Sequence, residues 1–338
     1  ALNVINSGYQ VALMAPTEIL ARQHFILAKK IFPTEINLAL LSSKSEAKIK
    51  KDIIEKLKTK KIDMVFSTHA IFQKKITFSN LGFIIIDEQH KFGVRQRKLL
   101  SDKGGKNCDV LLMSATPIPR TLTMSIYGDM DVSIIREKPN NRKEVKTYSK
   151  LESKIEDVIN FVKKEIFEGN QIFWVCPLIE ESKKLDHESA VKKFEYLNKI
   201  FPNKVALLHG KIENDEKEKI LNKFLEKKFS ILVSTTIIEV GIDFPNANVI
   251  IIENSNKFGL SQLHQLRGRV GRGNKQASCI LMFKSNLTEN AKKRINILKN
   301  SNDGFDISEE DMKLRGFGDI LGFKQSGLKN FRLADPIH

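Results

Sequence analysis

An uninterrupted apolar run that ends in two acids constrains the fold of this chain more than any other stretch. Residues 83–86 (Phe-Ile-Ile-Ile) lead directly into Asp87 and Glu88. A run without polar alternation, rich in β-branched residues, is typical of a strand buried on both faces of a parallel sheet. In such sheets, ligand-binding and catalytic residues lie just beyond the carboxyl ends of the strands. There one carboxylate can hold Mg²⁺ on nucleotide phosphates while its neighbour orients or deprotonates water. Alternatively, the two acids simply open a solvated turn.

Composition narrows the class of protein. A chain of 338 residues should form about two domains, and a hydrophobic content of 41% suffices for packed cores. The net charge of +16, from 56 basic and 40 acidic residues, favours a polyanionic partner, most simply nucleic acid, although a lysine-rich proteome produces the same excess. Cys108, Cys176 and Cys279 fit no metal or disulfide spacing, so reduced thiols are expected. No apolar stretch approaches the ~18 residues of a membrane span, and no signal peptide opens the chain.

Predicted strands and helices alternate in two blocks, which indicates an α/β fold with two units. The first block has predicted strands at 10–14, 38–41, 63–67, 83–86 and 109–113, and helices at 18–31 and 45–61. The second block has predicted strands at 171–176, 205–209, 230–234, 249–253 and 278–283, and helices at 151–168 and 214–228. A polar, proline-containing segment at 138–143 is the best candidate for a linker. We therefore divide the chain into a first unit (1–137), a linker (138–149), a second unit (150–286) and a C-terminal segment (287–338).

The second block supplies arginines that match the acids of the first. Residues 234–243 begin at a strand edge and include Gly241, which permits close backbone approach. Residues 262–273 place three arginines among glycines, and Arg269 and Arg272 would share a face if this stretch were helical. Guanidinium groups bind phosphate bidentately and stabilise the charge of phosphoryl-transfer transition states. An ordinary basic loop would have the same composition. Together with the acid pair, however, the arginines predict a nucleotide held between the two units.

The C-terminal segment is predicted to form a helical hairpin. Thr288 would cap a first helix over 288–298, residues 302–304 (Asn-Asp-Gly) would form the turn, and 308–311 (Ser-Glu-Glu-Asp) would open a second helix as a capping box. The glycines at positions 316, 318 and 322 disfavour a continuing helix and predict a loop. Two roles are open for the hairpin. It either only covers the second unit, or it links the loop beyond residue 315 to that unit.

Five stretches resemble, in order, motifs Ia, II, III, V and VI of superfamily 2 helicases: residues 15–20, 87–90, 114–116, 234–243 and 262–273. The acid box Asp-Glu-Gln-His, together with residues 92–97 and 113–122, is similar to the RecG and Mfd branch of double-stranded DNA translocases. Residues 304–316 and 325–327 resemble the translocation motif that these two families share, while 127–132 and 331–335 favour RecG. The resemblance implies two RecA-like parallel-sheet lobes, the first truncated at its N-terminus, followed by the C-terminal helical hairpin and loop.

The resemblance also implies roles at the nucleotide for residues of both lobes. Asp87 would hold Mg²⁺ through water, and Glu88 would polarise the attacking water. Arg269 and Arg272 would act as arginine fingers. Further residues would bind ATP or couple it to the lobe interface: Gln89, His90, Ser114, Thr116, Glu239, Gly241, Asp243 and Gln265.

On the DNA side, the resemblance implies that Thr17 and Thr236 lie along the DNA track. Arg315 and Gln325 would transmit lobe closure into movement along the duplex. The implied cofactors are ATP and Mg²⁺, and the implied partner is branched double-stranded DNA such as stalled replication forks and Holliday junctions. The implied protein is a monomeric bacterial enzyme of the cytoplasm, associated with the nucleoid.

One element of the family is absent from the sequence. No Gly-x-x-x-x-Gly-Lys-Ser/Thr loop, which cradles the β- and γ-phosphates, occurs in the 338 residues. It is expected just before Ala1, because residues 1–8 resemble the end of the helix that follows it, and the family's wedge domain is also missing. We therefore expect the C-terminal part of a RecG helicase, which is an ATP-dependent enzyme only when the missing N-terminal part is present. The alternatives are part of an Mfd-type transcription-repair coupling translocase and a catalytically inactive DNA-binding module.

Overall fold

Two parallel sheets contain the predicted strands in the computed structural model of this chain. The structure describes residues 1–42, 45–73, 75–88, 103, 108–114, 131–135, 137, 143–177, 183–235 and 244–315. The chain divides into two compact units, and one sheet lies in each of them.

The first unit contains a five-stranded parallel sheet in the order β2-β3-β1-β4-β5. Its strands are β1 (Gln10–Met14), β2 (Leu38–Leu41), β3 (Met64–Ser67), β4 (Leu81–Ile86) and β5 (Asp109–Leu112). Its helices are α1 (Leu2–Asn6), α2 (Glu18–Ile31) and α3 (Ala47–Lys58). The strands and the two longer helices predicted for this block are therefore confirmed, with ends that differ by a few residues at most.

Strand β4 shows why an uninterrupted apolar run was needed. Ile84 and Ile86 pack into one hydrophobic core together with residues of α3, whereas Ile85 packs into a second core with residues of α1 and α2. Since successive side chains of a strand point to opposite faces, both faces of β4 are covered. The predicted burial on both faces is confirmed.

The second unit contains a six-stranded parallel sheet in the order β6-β11-β10-β7-β9-β8. Its strands are β6 (Lys146–Leu151), β7 (Gln171–Val175), β8 (Val205–Leu208), β9 (Ile231–Ser234), β10 (Ala247–Ile252) and β11 (Ser278–Phe283). Its helices are α4 (Ile155–Phe167), α5 (Lys183–Ile200), α6 (Asn214–Leu225), α7 (Leu260–Arg267), α8 (Glu289–Asn300) and α9 (Gly304–Arg315).

The two sheets share one topology. The order β8-β9-β7-β10-β11 of the second sheet repeats the order β2-β3-β1-β4-β5 of the first, and β6 is added at the edge. Each central strand, β1 or β7, begins with a buried glutamine, Gln10 or Gln171. Each of these side chains donates to two backbone carbonyls at 2.6 to 3.0 Å, one in the last turn of α3 or α6 and one in the loop that follows that helix. Because buried amides must be hydrogen-bonded, the shared contact indicates that both units repeat one architecture.

Strand β6 was missed by the sequence analysis. Leu151, predicted to begin a helix, is the last residue of β6, and α4 begins at Ile155. β6 also overlaps the segment 138–149 that we assigned to the linker, whereas the domain bounds themselves stay a prediction. The strand lies at the sheet edge and alternates exposed with half-buried positions, so its sequence lacks the apolar run that identifies the buried strands.

The predicted C-terminal hairpin is confirmed, but its second helix starts earlier than expected. The Oγ1 atom of Thr288 accepts the backbone N–H of Ala291 at 3.3 Å, as predicted for the cap of α8. Helix α9 begins at Gly304 rather than at residue 308. The Oδ1 atom of Asp303 accepts the N–H of Phe305 at 2.7 Å, so the turn residue itself caps the helix.

Other departures concern single helices. The apolar side chains of Ile49 in α3 and Leu225 in α6 are exposed. Helix α5 was not predicted at all; it buries Ala190 and Leu197. None of the helices within the described residues, α5 included, is long and apolar enough to cross a membrane.

Candidate nucleotide and nucleic-acid site

The predicted acid pair follows β4 at the carboxyl edge of the first sheet. The N–H of Asp87 donates to the carbonyl of Met14 at 2.9 Å, which extends the pairing of β4 with β1 by one residue. One oxygen of Asp87, Oδ1, accepts the N–H of Glu88 at 2.9 Å, and the other, Oδ2, lies 2.8 Å from Nε2 of His24. Glu88 adopts a φ of 50°, in the left-handed region that non-glycine residues rarely occupy. Such backbone strain is found preferentially at functional sites.

Two further predicted residues belong to the same edge. Thr17 caps α2 directly beyond β1, and its Oγ1 accepts the N–H of Leu20 at 3.4 Å. Ser114 lies two residues beyond β5. Because β1 and β5 flank β4, the carboxyl edge of one sheet carries Thr17, the acid pair and Ser114. The N-terminus of α2 also presents backbone N–H groups there, which suit a phosphate.

The predicted arginines of the second unit do not share a helix face as expected. Helix α7 carries Gln265 and ends at Arg267, so Arg269 and Arg272 lie in the turn that follows. Gly271 in this turn has a φ of 74°, and an added Cβ would lie 3.0 Å from Cβ of Ala277. Both the positive φ and the close approach favour glycine at this position between the two arginines. Arg269 is half-buried, whereas Arg272 is exposed.

The first arginine of the run, Arg267, has a different position, which the sequence analysis missed. It is only 3% exposed, and its Nη1 donates to the carbonyls of Leu298 at 2.5 Å and Ser301 at 2.9 Å, at the C-terminal end of α8. Burial lowers the pKa of this guanidinium from its ordinary value. A second contact joins α7 to α9, since the hydroxyl of Ser261 donates to the carboxylate of Asp311. Helix α7 is thus fastened to both helices of the hairpin.

Several predicted site residues lie outside the described residues: Gln89, His90, Thr116, Thr236, Glu239, Gly241, Asp243 and Gln325. Of Arg315 only the backbone is described, as the last residue of α9.

Asp87 is the described residue whose chemistry suits a nucleotide-bound Mg²⁺. Within them, no group of three or more metal-ligating side chains occurs. Mg²⁺ is commonly held by one or two carboxylates together with waters and phosphates of the substrate. Asp87 offers a hard carboxylate at the sheet edge, so its chemistry fits that arrangement.

Three sequence families match consecutive parts of the chain. Residues 1–125 match the DEAD/DEAH box helicase family, and residues 153–274 match the helicase conserved C-terminal domain. Residues 301–335 match domain 3, C-terminal, of ATP-dependent DNA helicase RecG. The last match covers residues 304–316 and 325–327, which resemble the translocation motif that RecG and Mfd share.

Individual relatives agree with these matches. ATP-dependent DNA helicase RecG of Bacillus subtilis is 48% identical over 337 residues, which cover 99% of this chain and 49% of the relative. A structure of RecG bound to a three-way DNA junction is 44% identical, with a TM-score of 0.75 over 98% of this chain and 43% of that chain. S. cerevisiae Dbp5 bound to RNA and ADP BeF3, 18% identical with a TM-score of 0.64, covers 91% of this chain and 81% of that chain and supports the fold alone.

The two parallel-sheet units are therefore RecA-like helicase lobes, as predicted. The chain spans about half the length of the curated relatives it matches. Its identity of 44 to 49% to RecG proteins extends over 98 to 99% of the chain. Nearly the whole chain is therefore similar to the RecG family of DNA helicases.

Proposed function

We propose that this chain is the motor part of an ATP-dependent DNA helicase that remodels branched DNA, including stalled replication forks and Holliday junctions. The observation that carries the proposal is the acid pair Asp87–Glu88 at the carboxyl edge of a RecA-like sheet, flanked there by Thr17 and Ser114. The solved RecG relative bound to a three-way junction supports branched DNA as the partner. The match of the RecG domain to residues 301–335 favours RecG over the Mfd alternative.

In the proposed site the two acids, Asp87 and Glu88, have different roles. Asp87 would hold Mg²⁺, which would neutralise charge at the transferring phosphate when bound. Glu88 orients the attacking water and accepts its proton. Strand β4 ends at Ile86, and the φ of 50° at Glu88 departs from the extended backbone of a strand.

The second lobe provides positive charge for the same reaction in this proposal. Arg269 and Arg272 stabilise the charge that develops on the phosphate, and Gln265, Gly241 and Asp243 contact the nucleotide. Coupling to the lobe interface is proposed for the remaining predicted residues: Gln89, His90, Ser114, Thr116 and Glu239.

DNA binding and movement are proposed for Thr17 and Thr236 along the track and for Arg315 and Gln325 in the C-terminal segment. The net charge of +16 supports a polyanionic partner. We further propose a monomer that acts in the bacterial cytoplasm on nucleoid DNA, with ATP and Mg²⁺ as cofactors.

The 338 residues alone are expected to bind DNA but to hydrolyse little or no ATP. The sequence contains no phosphate-binding loop to cradle the β- and γ-phosphates, whereas its excess positive charge remains. The affinity for DNA should fall steeply as the salt concentration rises. Each phosphate contacted should make the slope of log affinity against log salt more negative by about 0.9. Fluorescence anisotropy on a fork-shaped DNA and a phosphate-release assay measure the two properties.

An uncharged peptide nucleic acid duplex of the same sequence is the matched control, because it removes the phosphates and keeps the bases. Robust DNA-stimulated hydrolysis by the isolated chain would contradict the need for the missing loop. If a RecG protein that carries these residues together with a phosphate-binding loop also hydrolysed no ATP, the inactive DNA-binding module would be the better proposal.

In that longer protein, Arg315→Ala or Gln325→Ala is expected to impair fork unwinding strongly while leaving ATP hydrolysis largely intact. Arg315 ends α9, which is joined to α7 by the Ser261–Asp311 contact, so the hairpin can transmit movement without forming the nucleotide site. Both rates should be measured on one preparation. Lys313→Ala, which removes an exposed charge from the same helix, is the control. Equal losses of unwinding and hydrolysis in the Arg315 variant would mean that the hairpin only covers the second lobe.

A further inference from the structure

The acid that follows β4 has a counterpart in the second lobe. Glu253 follows β10, the strand equivalent to β4 in the shared topology. The N–H of Glu253 donates to the carbonyl of Val175 at the end of β7, and the N–H of Asp87 donates to Met14 at the end of β1, both at 2.9 Å. The two acids therefore occupy the same position in two copies of one architecture.

Each acid meets a basic side chain from the equivalent helix. His24 lies on α2, which follows β1, and its Nε2 is 2.8 Å from Oδ2 of Asp87. Lys193 lies on α5, which follows β7, and its Nζ is 2.7 Å from Oε1 of Glu253. The contact between the helix after the central strand and the acid at the neighbouring strand end is thus made twice in the molecule.

The two acids differ in what else surrounds them. Glu253 also accepts the indole N–H of Trp174 at 3.0 Å and contacts the thiol of Cys176 at 3.8 Å. Burial and the nearby Glu253 carboxylate raise the pKa of that thiol well above its ordinary value. A carboxylate enclosed in this way by indole, thiol and ammonium groups has a structural role in the core of the lobe.

Asp87 has fewer partners in the described part of the chain than Glu253. In the described part of the chain, Oδ1 of Asp87 accepts the N–H of Glu88 and Oδ2 is hydrogen-bonded to the ring of His24. An ionised carboxylate offers about four lone-pair sites, so lone pairs remain on both oxygens for waters. Because a carboxylate only accepts hydrogen bonds, the short contact requires a hydrogen on Nε2 of His24.

We propose that His24 is a positioning residue of the nucleotide site, which holds the Asp87 carboxylate in the orientation that receives the waters of a Mg²⁺–nucleotide complex. The inference rests on the proposed function. Its physical basis is that carboxylates near a metal are oriented by hydrogen bonds from outside the coordination sphere. The second lobe uses the same geometry to fix an acid in its core, whereas the first lobe uses it to fix an acid that still has free lone pairs.

The test is the Mg²⁺ affinity of the ADP complex in a RecG protein that carries these residues and a phosphate-binding loop. Titration with Mn²⁺ followed by electron paramagnetic resonance, with Mg²⁺ as competitor, measures this affinity without turnover. His24→Ala is expected to weaken it roughly 10- to 100-fold, the usual effect of removing an outer-sphere partner. His24→Gln should restore most of the affinity, because its amide nitrogen reaches the position of Nε2. His24→Asn should not, because its amide reaches only the position of Nδ1.

Lys193→Met is the matched control at the equivalent position of the second lobe. It should lower the thermal unfolding temperature, because Glu253 loses its counter-ion, and leave the Mg²⁺ affinity unchanged. Absence of Mg²⁺-dependent nucleotide binding in the wild-type protein would refute the proposed function itself. With a normal wild type, an unchanged or tighter Mg²⁺ affinity in His24→Ala, or equal affinities in the Gln and Asn variants, would overturn the role of His24 alone. If His24→Ala fails to fold, the comparison of Gln with Asn decides.

Discussion

A Glu88→Gln protein with a phosphate-binding loop is expected to bind ATP normally and to hydrolyse essentially none. Glutamine matches glutamate in shape and length, so it removes the proton acceptor and little else. The backbone at position 88 has a φ of 50°, and glutamine should tolerate it as glutamate does, since both are unbranched at Cβ. Nucleotide affinity measured with a fluorescent ATP analogue, and hydrolysis measured as phosphate release, separate binding from chemistry.

The matched control is Glu55→Gln, which removes the same charge from an exposed position of α3 in the same lobe. It should hydrolyse ATP at the wild-type rate. If Glu88→Gln also did so, Glu88 would not be the residue that activates water. If Glu88→Gln lost nucleotide binding as well, the acid would have a role in the ground-state complex that we do not assign to it.

The buried strands of both lobes could be predicted from the sequence because their signal is local. A strand covered on both faces needs an apolar side chain at nearly every position, and β4 and β10 meet that requirement with runs of isoleucine. Polarity at the strand ends then marks the carboxyl edge, which is why Asp87 could be assigned to it. Helix caps such as Thr17 and Thr288 were equally local, since the capping side chain bonds the backbone three residues ahead.

Features that depend on a neighbouring element could not be predicted in this way. Edge strand β6 is polar and largely exposed, and among the described strands it pairs with β11 alone. His24 and Asp87 are 63 residues apart, and their contact follows only once β1 and β4 are known to be neighbours. Arg267 looks like Arg269 and Arg272 in the sequence, but α8 covers it and gives it carbonyl partners. The functional roles of the remaining motif residues rest on the family resemblance and stay predictions.

Arg272→Ala is expected to lower kcat for ATP hydrolysis by at least about 10³-fold, the scale of an arginine finger. The structure makes Arg272 the most informative of the three arginines to replace. Arg267 is buried and holds the hairpin, and Arg269 is half-buried, so their loss would disturb the fold as well as the chemistry. Arg272 is exposed in a turn whose shape is set by Gly271, so its side chain can be removed without unfolding the lobe.

Two further variants separate the geometry of the guanidinium from its charge. Arg272→Lys keeps the positive charge but lacks the planar fork that binds two phosphate oxygens, so it should recover little of the lost rate. Lys284→Ala removes an exposed charge elsewhere in the same lobe and should leave kcat unchanged. Steady-state hydrolysis at saturating ATP and DNA gives kcat. Thermal unfolding of the same samples shows whether each variant stays folded. A near wild-type kcat in Arg272→Ala would mean that another group stabilises the charge on the phosphate. Arg269 would then be the next residue to replace, because it lies at the same turn and its partial burial restrains its side chain.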